Sequence, residues 1–131
     1  MIGLDTNVLV RYLVQDDAVQ ARAATATIEG AASRGTGLFL AAVTLCELVW
    51  VLESAYARPR AVIAAALEQL VRTKDFTIEH ADHVRGAVAD YRTISADFAD
   101  ALVGRINDAA GCEHTVTFDR GLKRLPQFRV L

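Results

Sequence analysis

The chain has 131 residues, of which 53% are apolar, so it is sized as one domain with enough apolar side chain for a core, and intrinsic disorder is excluded. Its 14 basic and 16 acidic side chains give a net charge of −2, which argues against the strongly basic surface of most nucleic-acid binders. If four carboxylates are sequestered around a cation, 14 basic groups face 12 acidic ones and the remaining surface carries +2, so an RNA partner stays open. Cys46 and Cys112 both sit in apolar segments and read as buried thiols of a reduced compartment rather than as a disulfide or zinc framework. No basic leader with an apolar run and no stretch of roughly 20 apolar residues is seen, which leads us to expect a cytoplasmic protein with no membrane partner.

Ile2 to Leu4 is a short apolar strand candidate, and Thr6 to about Gln15 has helical spacing with Val8, Leu9, Tyr12 and Leu13 on one face. Asp16 and Asp17 open an Ala-rich helix to about Ser33, which Gly35 and Gly37 terminate. Leu38 to Thr44 reads as a second buried strand, followed by a helix from about Leu45 to Tyr56. Pro59 suits the first turn of a helix to about Arg72. Residues 76–79 form a third strand candidate, helices follow at about 81–93 and 98–110, residues 114–118 give a fourth strand, and the terminal FRVL a fifth. Short apolar strands alternating with helices predict an α/β fold around a central, mostly parallel sheet of four to five strands.

Open parallel sheets bind ligands beyond the carboxyl ends of their strands. Asp5 follows strand one, Glu47 falls in the first turn of the helix after strand two, Asp97 and Asp100 open the helix in SADFADALVGR, and Asp119 follows strand four. Each acid also has a local reading. Asp5 and Asp119 suit helix caps, Thr44-x-x-Glu47 fits a capping box, and Asp97-x-x-Asp100 resembles one. Caps do not need to converge, whereas carboxylates at 4 Å repel by about 4 kcal/mol at an effective dielectric of 20. A divalent cation turns that repulsion into coordination. Oxygen donors suit Mg²⁺ or Mn²⁺, and the matching chemistry is metal-assisted hydrolysis of a phosphodiester. No Ser-His-Asp or Cys-His arrangement and no Walker-type glycine loop competes with it.

The segments IGLDTNVLVRYL, TLCELVWVL, DFADALVGRI and TVTFDRGLKRL, in that order and spacing, resemble the PIN domains, and within them the VapC-type toxins of type II toxin–antitoxin systems. The resemblance covers essentially the whole chain and implies a single PIN domain, residues 1–131, with a three-layer α/β/α fold. It implies a Mg²⁺- or Mn²⁺-dependent endoribonuclease whose catalytic, metal-holding acids are Asp5, Glu47, Asp100 and Asp119. Asn7 and Thr117 match supporting polar positions, Asp97 a frequent companion of less certain role, and Thr6 a motif residue whose side chain caps or packs. The implied partners are an RNA substrate, a second copy of the chain in a homodimer, and a VapB-like antitoxin whose tail occupies the active-site groove.

Arg120, Lys123 and Arg124, close after Asp119, are candidate RNA-phosphate contacts, with a solvated helix face as the alternative. Trp50 and Tyr56 lie at apolar helical spacing and read as core or dimer contacts, and His80, His83 and His114 as residues away from the acids. Two rival readings fit less well. An aspartyl-nucleophile phosphatase wants a second aspartate where Asn7 stands, and a phospho-acceptor receiver needs a lysine at a late strand end that is absent. A PIN-like module that binds RNA or protein without toxin activity is the remaining alternative.

Overall fold

Period-two and period-3.6 patterning divides the chain into the expected alternation of strands and helices, described in a computed structural model over residues 1–131. The backbone gathers into two compact units, Met1–Glu79 and His80–Leu131. In the first unit the order is β1 (Ile2–Gly3), α1 (Thr6–Val14), α2 (Ala18–Ser33), β2 (Leu38–Leu40), α3 (Ala42–Ser54), α4 (Arg60–Arg72) and β3 (Phe76–Ile78). The strands pair in the order β1-β2-β3, all parallel, with Ile2 opposite Leu38 and Leu38 opposite Phe76. Parallel pairing needs long crossovers, and the helices between the strands supply them.

The core of this unit follows from the helical periodicity. Leu9 and Val10 of α1, Ala21, Ala24, Ile28 and Ala31 of α2, and Ile63, Ala64, Leu67 and Leu70 of α4 are buried. α3 is apolar nearly all round and buries Leu45, Leu48, Val49 and Leu52. Helix ends are set by local chemistry. Gln15 takes a left-handed φ of 62° and closes α1, and the Asp17 carboxylate accepts from the Val19 and Gln20 amides to open α2.

In the second unit the order is α5 (Ala81–Thr93), α6 (Phe98–Ala109), β4 (Thr115–Thr117), a short 3₁₀ turn (Arg120–Arg124) and β5 (Phe128–Val130). β4 and β5 pair in parallel. α5 and α6 pack through Tyr91 and Phe98, whose rings meet edge to face at 6.5 Å. Beside them Asp90, only 7% exposed, accepts from Arg105 Nε at 2.8 Å and Nη2 at 3.1 Å. Gly86 leaves the space this needs, because a methyl there would overlap the Arg105 guanidinium.

This is the α/β class expected of the sequence, with all five strands formed as a set of three and a set of two. One boundary moves. The run Leu38–Thr44, expected as a strand, is a strand only to Leu40, and α3 begins at Ala42 instead of Leu45. Ala42 is a good helix former, and Glu79 Oε1 accepts from its amide at 2.9 Å, so an acid 37 residues away caps the helix. Two further expectations are corrected. Trp50 is 69% exposed, so it is no core residue, and Cys112 is exposed and Cys46 only partly covered, so neither is a buried thiol. No helix is long and apolar enough to cross a membrane.

Candidate active site

In the first unit, Asp5 ends the segment leaving β1 and takes the cap position of α1 in an extended conformation. Its carbonyl accepts from the Leu9 amide, but its side chain makes no capping bond and is exposed. Thr6 is 5% exposed, and its hydroxyl has no hydrogen-bond partner. Asn7 is exposed and lines a cavity of about 400 Å³ beside β1, α1 and α2, with Leu4, Val8, Arg11, Ala24 and Thr27. Arg11 borders it, donating to Gln20 Oε1 at 2.7 Å, Asp16 Oδ1 at 3.0 Å and the Tyr56 hydroxyl at 3.0 Å.

Glu47 lies in the second turn of α3, because that helix starts three residues earlier than expected, and it is exposed. The Thr44–Glu47 capping box therefore does not exist. The capping acid is Glu79, directly after β3. Sequence reasoning passed over Glu79 as part of a strand, although it follows a strand end as Asp5 and Asp119 do.

In the second unit, Asp97 caps α6, its Oδ1 accepting from the Asp100 amide at 3.0 Å. The Asp100 side chain returns no bond, so only half of a capping box forms. Partial burial, then the charges of Asp97 and Asp119, hold the Asp100 carboxyl above the usual aspartate range. Asp119 is fixed from both sides. Its amide donates to Thr117 Oγ1 at 3.0 Å, and its Oδ1 accepts from the Gly121 amide at 2.8 Å. Arg124 Nη2 donates to the Ile94 carbonyl at 2.9 Å, tying the 3₁₀ turn to the end of α5, while Arg120 and Lys123 are exposed.

The local readings of the acids therefore divide. Asp97 and Asp119 act as caps, whereas Asp5, Glu47 and Asp100 have no side-chain hydrogen bond or ion pair that explains their presence. No group of three His, Cys, Asp or Glu side chains is drawn together closely enough to hold an ion. Asp100 nevertheless feels the charges of Asp97 and Asp119. Within the second unit, Asp97, Asp100 and Asp119 offer only oxygen donors, the kind a hard divalent cation takes, with the Asp100 carboxyl under repulsion from the other two.

A PIN domain family match spans residues 2–127. The chain belongs to the PIN domain family. Members are generally nucleases that use divalent metal ions and bind RNA. No curated protein and no solved structure matches the chain. As a PIN domain it carries an acid after β1, after β3 and after β4, and a pair at the start of α6.

The raised Asp100 pKa gives the metal-free PIN domain a pH signature. The folded carboxyl binds its proton more tightly than the unfolded one, so stability falls as pH rises from the ordinary 3.8 through the raised value. Asp100→Asn should flatten that slope and leave the EDTA-treated protein as stable at neutral pH, or more so by on the order of 0.5 kcal/mol. Asp97→Ala should cost about 1 kcal/mol through the lost cap. Thermal unfolding in EDTA across pH checks both; an Asp100→Asn curve parallel to the parent's would remove the repulsion.

Proposed function

We propose that this PIN domain is a Mg²⁺- or Mn²⁺-dependent endoribonuclease and the toxin of a VapBC-type toxin–antitoxin module, acting in the cytoplasm as a homodimer. Residues 1–131 are proposed to form one domain, in which Asp5, Glu47, Asp100 and Asp119 form the catalytic set. One observation carries the reading: the side chains of Asp5, Glu47 and Asp100 make no hydrogen bond or ion pair that would tie them to the fold. Charges kept without a structural partner are charges available to a cation or a substrate.

A bound divalent ion supplies charge for the scissile phosphate and lowers the pKa of water. The chain's own residues do the rest. Asp5 and Asp100 present uncommitted carboxylates from the start of α1 and the first turn of α6, elements whose packing limits their motion. Asp119 keeps one oxygen on Gly121 and has the other free. Glu47 offers a further carboxylate, and Asn7 can hydrogen-bond a carboxylate or a bound water. The antitoxin's tail is proposed to occupy the active-site groove.

The test is RNA cleavage by the purified protein with Mg²⁺, after EDTA, and after restoring Mg²⁺ or Mn²⁺. Cutting should vanish in EDTA and return with the metal. Cleavage unchanged by EDTA, or no cleavage in any condition, ends the nuclease reading. Growth arrest on expression, relieved by a co-expressed antitoxin, tests the toxin role separately.

A further inference from the structure

The link between β4 and the 3₁₀ turn holds a side chain that the catalytic set does not use. Phe118 is 84% exposed, more than any other large apolar side chain in the protein. A phenyl ring in water forgoes roughly 2 kcal/mol of burial, so the position calls for an occupant. Alternation along the strand puts Thr115 and Thr117 on its partly covered face and Val116, 55% exposed, on the same open face as Phe118. The backbone on either side of the ring is fixed by the Thr117 and Gly121 bonds to Asp119, so the ring sits on a rigid base. Arg120 and Lys123 follow within five residues, exposed and without ion pairs.

We propose that Phe118 is a stacking platform for an unpaired base next to the scissile phosphate, with Arg120 and Lys123 contacting the flanking backbone. This rests on the nuclease reading and deepens it by naming a residue that positions the substrate. An exposed aromatic ring one residue from a catalytic carboxylate, with cations close behind, combines the two features that single-strand binders use, stacking on the base and charge on the phosphates. A base paired in a duplex offers no free face to stack on, so helical RNA is a poor ligand. Phe118 is a positioning residue: it holds the nucleotide and leaves the reacting atoms to the acids.

The experiment uses full-length protein carrying Asp100→Asn to prevent cutting, and reads fluorescence anisotropy with two probes. One is a short single-stranded ribo-oligonucleotide of mixed sequence, the other the same backbone without bases. Phe118→Ala should weaken binding of the first by about five- to a hundredfold, the range of one base–aromatic stack, and leave the second unchanged. Phe118→Trp should restore binding. Equal affinity of Phe118→Ala and its parent for the base-bearing probe overturns the inference and leaves the nuclease reading standing. So does a Phe118→Ala variant whose sedimentation changes while its RNA affinity does not, since that assigns the ring to a protein interface. A parent that binds neither probe overturns both.

Discussion

Asp5→Asn and Asp100→Asn should each cut RNA at least about a hundredfold more slowly than the parent at saturating Mg²⁺, the scale of losing one electrostatic stabiliser of a transition state. The substitution changes one oxygen to an amide and keeps the shape. At Asp5 no capping bond is lost, because the side chain makes none, and at Asp100 the helix cap belongs to Asp97. Folding stability is therefore expected to hold while activity falls. Single-turnover cleavage beside circular dichroism checks this. Variants that cut at the parent's rate would show that these carboxylates serve neither metal nor substrate, and variants that unfold would return the acids to a structural role. Asp97→Ala should show the reverse balance, with a clear loss of stability and a smaller loss of rate.

Arg105→Leu should destabilise the protein by about 3 kcal/mol, the low end of what breaking a buried ion pair costs. Asp90 is nearly buried and receives two bonds from one guanidinium, so removing the arginine leaves a carboxylate stranded against α6. At roughly 2–8 °C per kcal/mol for domains of this size, the midpoint should fall by about 10 °C. Gly86→Ala should push in the same direction, because the added methyl displaces the guanidinium. Replacing both charges, as Asp90→Leu with Arg105→Leu, should recover much of the loss, since apolar residues of similar volume often substitute well for a buried pair. Calorimetry at neutral pH reads all three. A single Arg105→Leu variant within about 1 kcal/mol of the parent would show the pair to be solvated.

Much of this was legible in the residues. The period of apolar side chains located six helices and five strands, and acids at strand ends marked candidate site residues, because side-chain periodicity and strand-end placement are local properties. What escaped was non-local. LFLAAVT is apolar throughout, so nothing in it marks where a strand becomes a helix, and the group that decides it is Glu79, 37 residues on. Glu47 was consequently placed a turn too early. The capping boxes read from Thr44 and Asp97 looked alike in sequence, yet one is absent and the other half made. Trp50 follows the spacing of buried residues and is exposed, because periodicity reports a face and not what covers it.

Glu79 also complicates how a mutational survey of this protein would be interpreted. Its carboxylate reaches from the end of β3 to the first amide of α3, the helix that carries Glu47. Loosening that anchor frays the helix from its start and lets the Glu47 carboxylate drift, with no change in the substituted residue's own chemistry. A screen scored only on RNA degradation would enrol position 79 among the proposed catalytic acids; amide exchange at Ala42 would reveal it as a hinge pin.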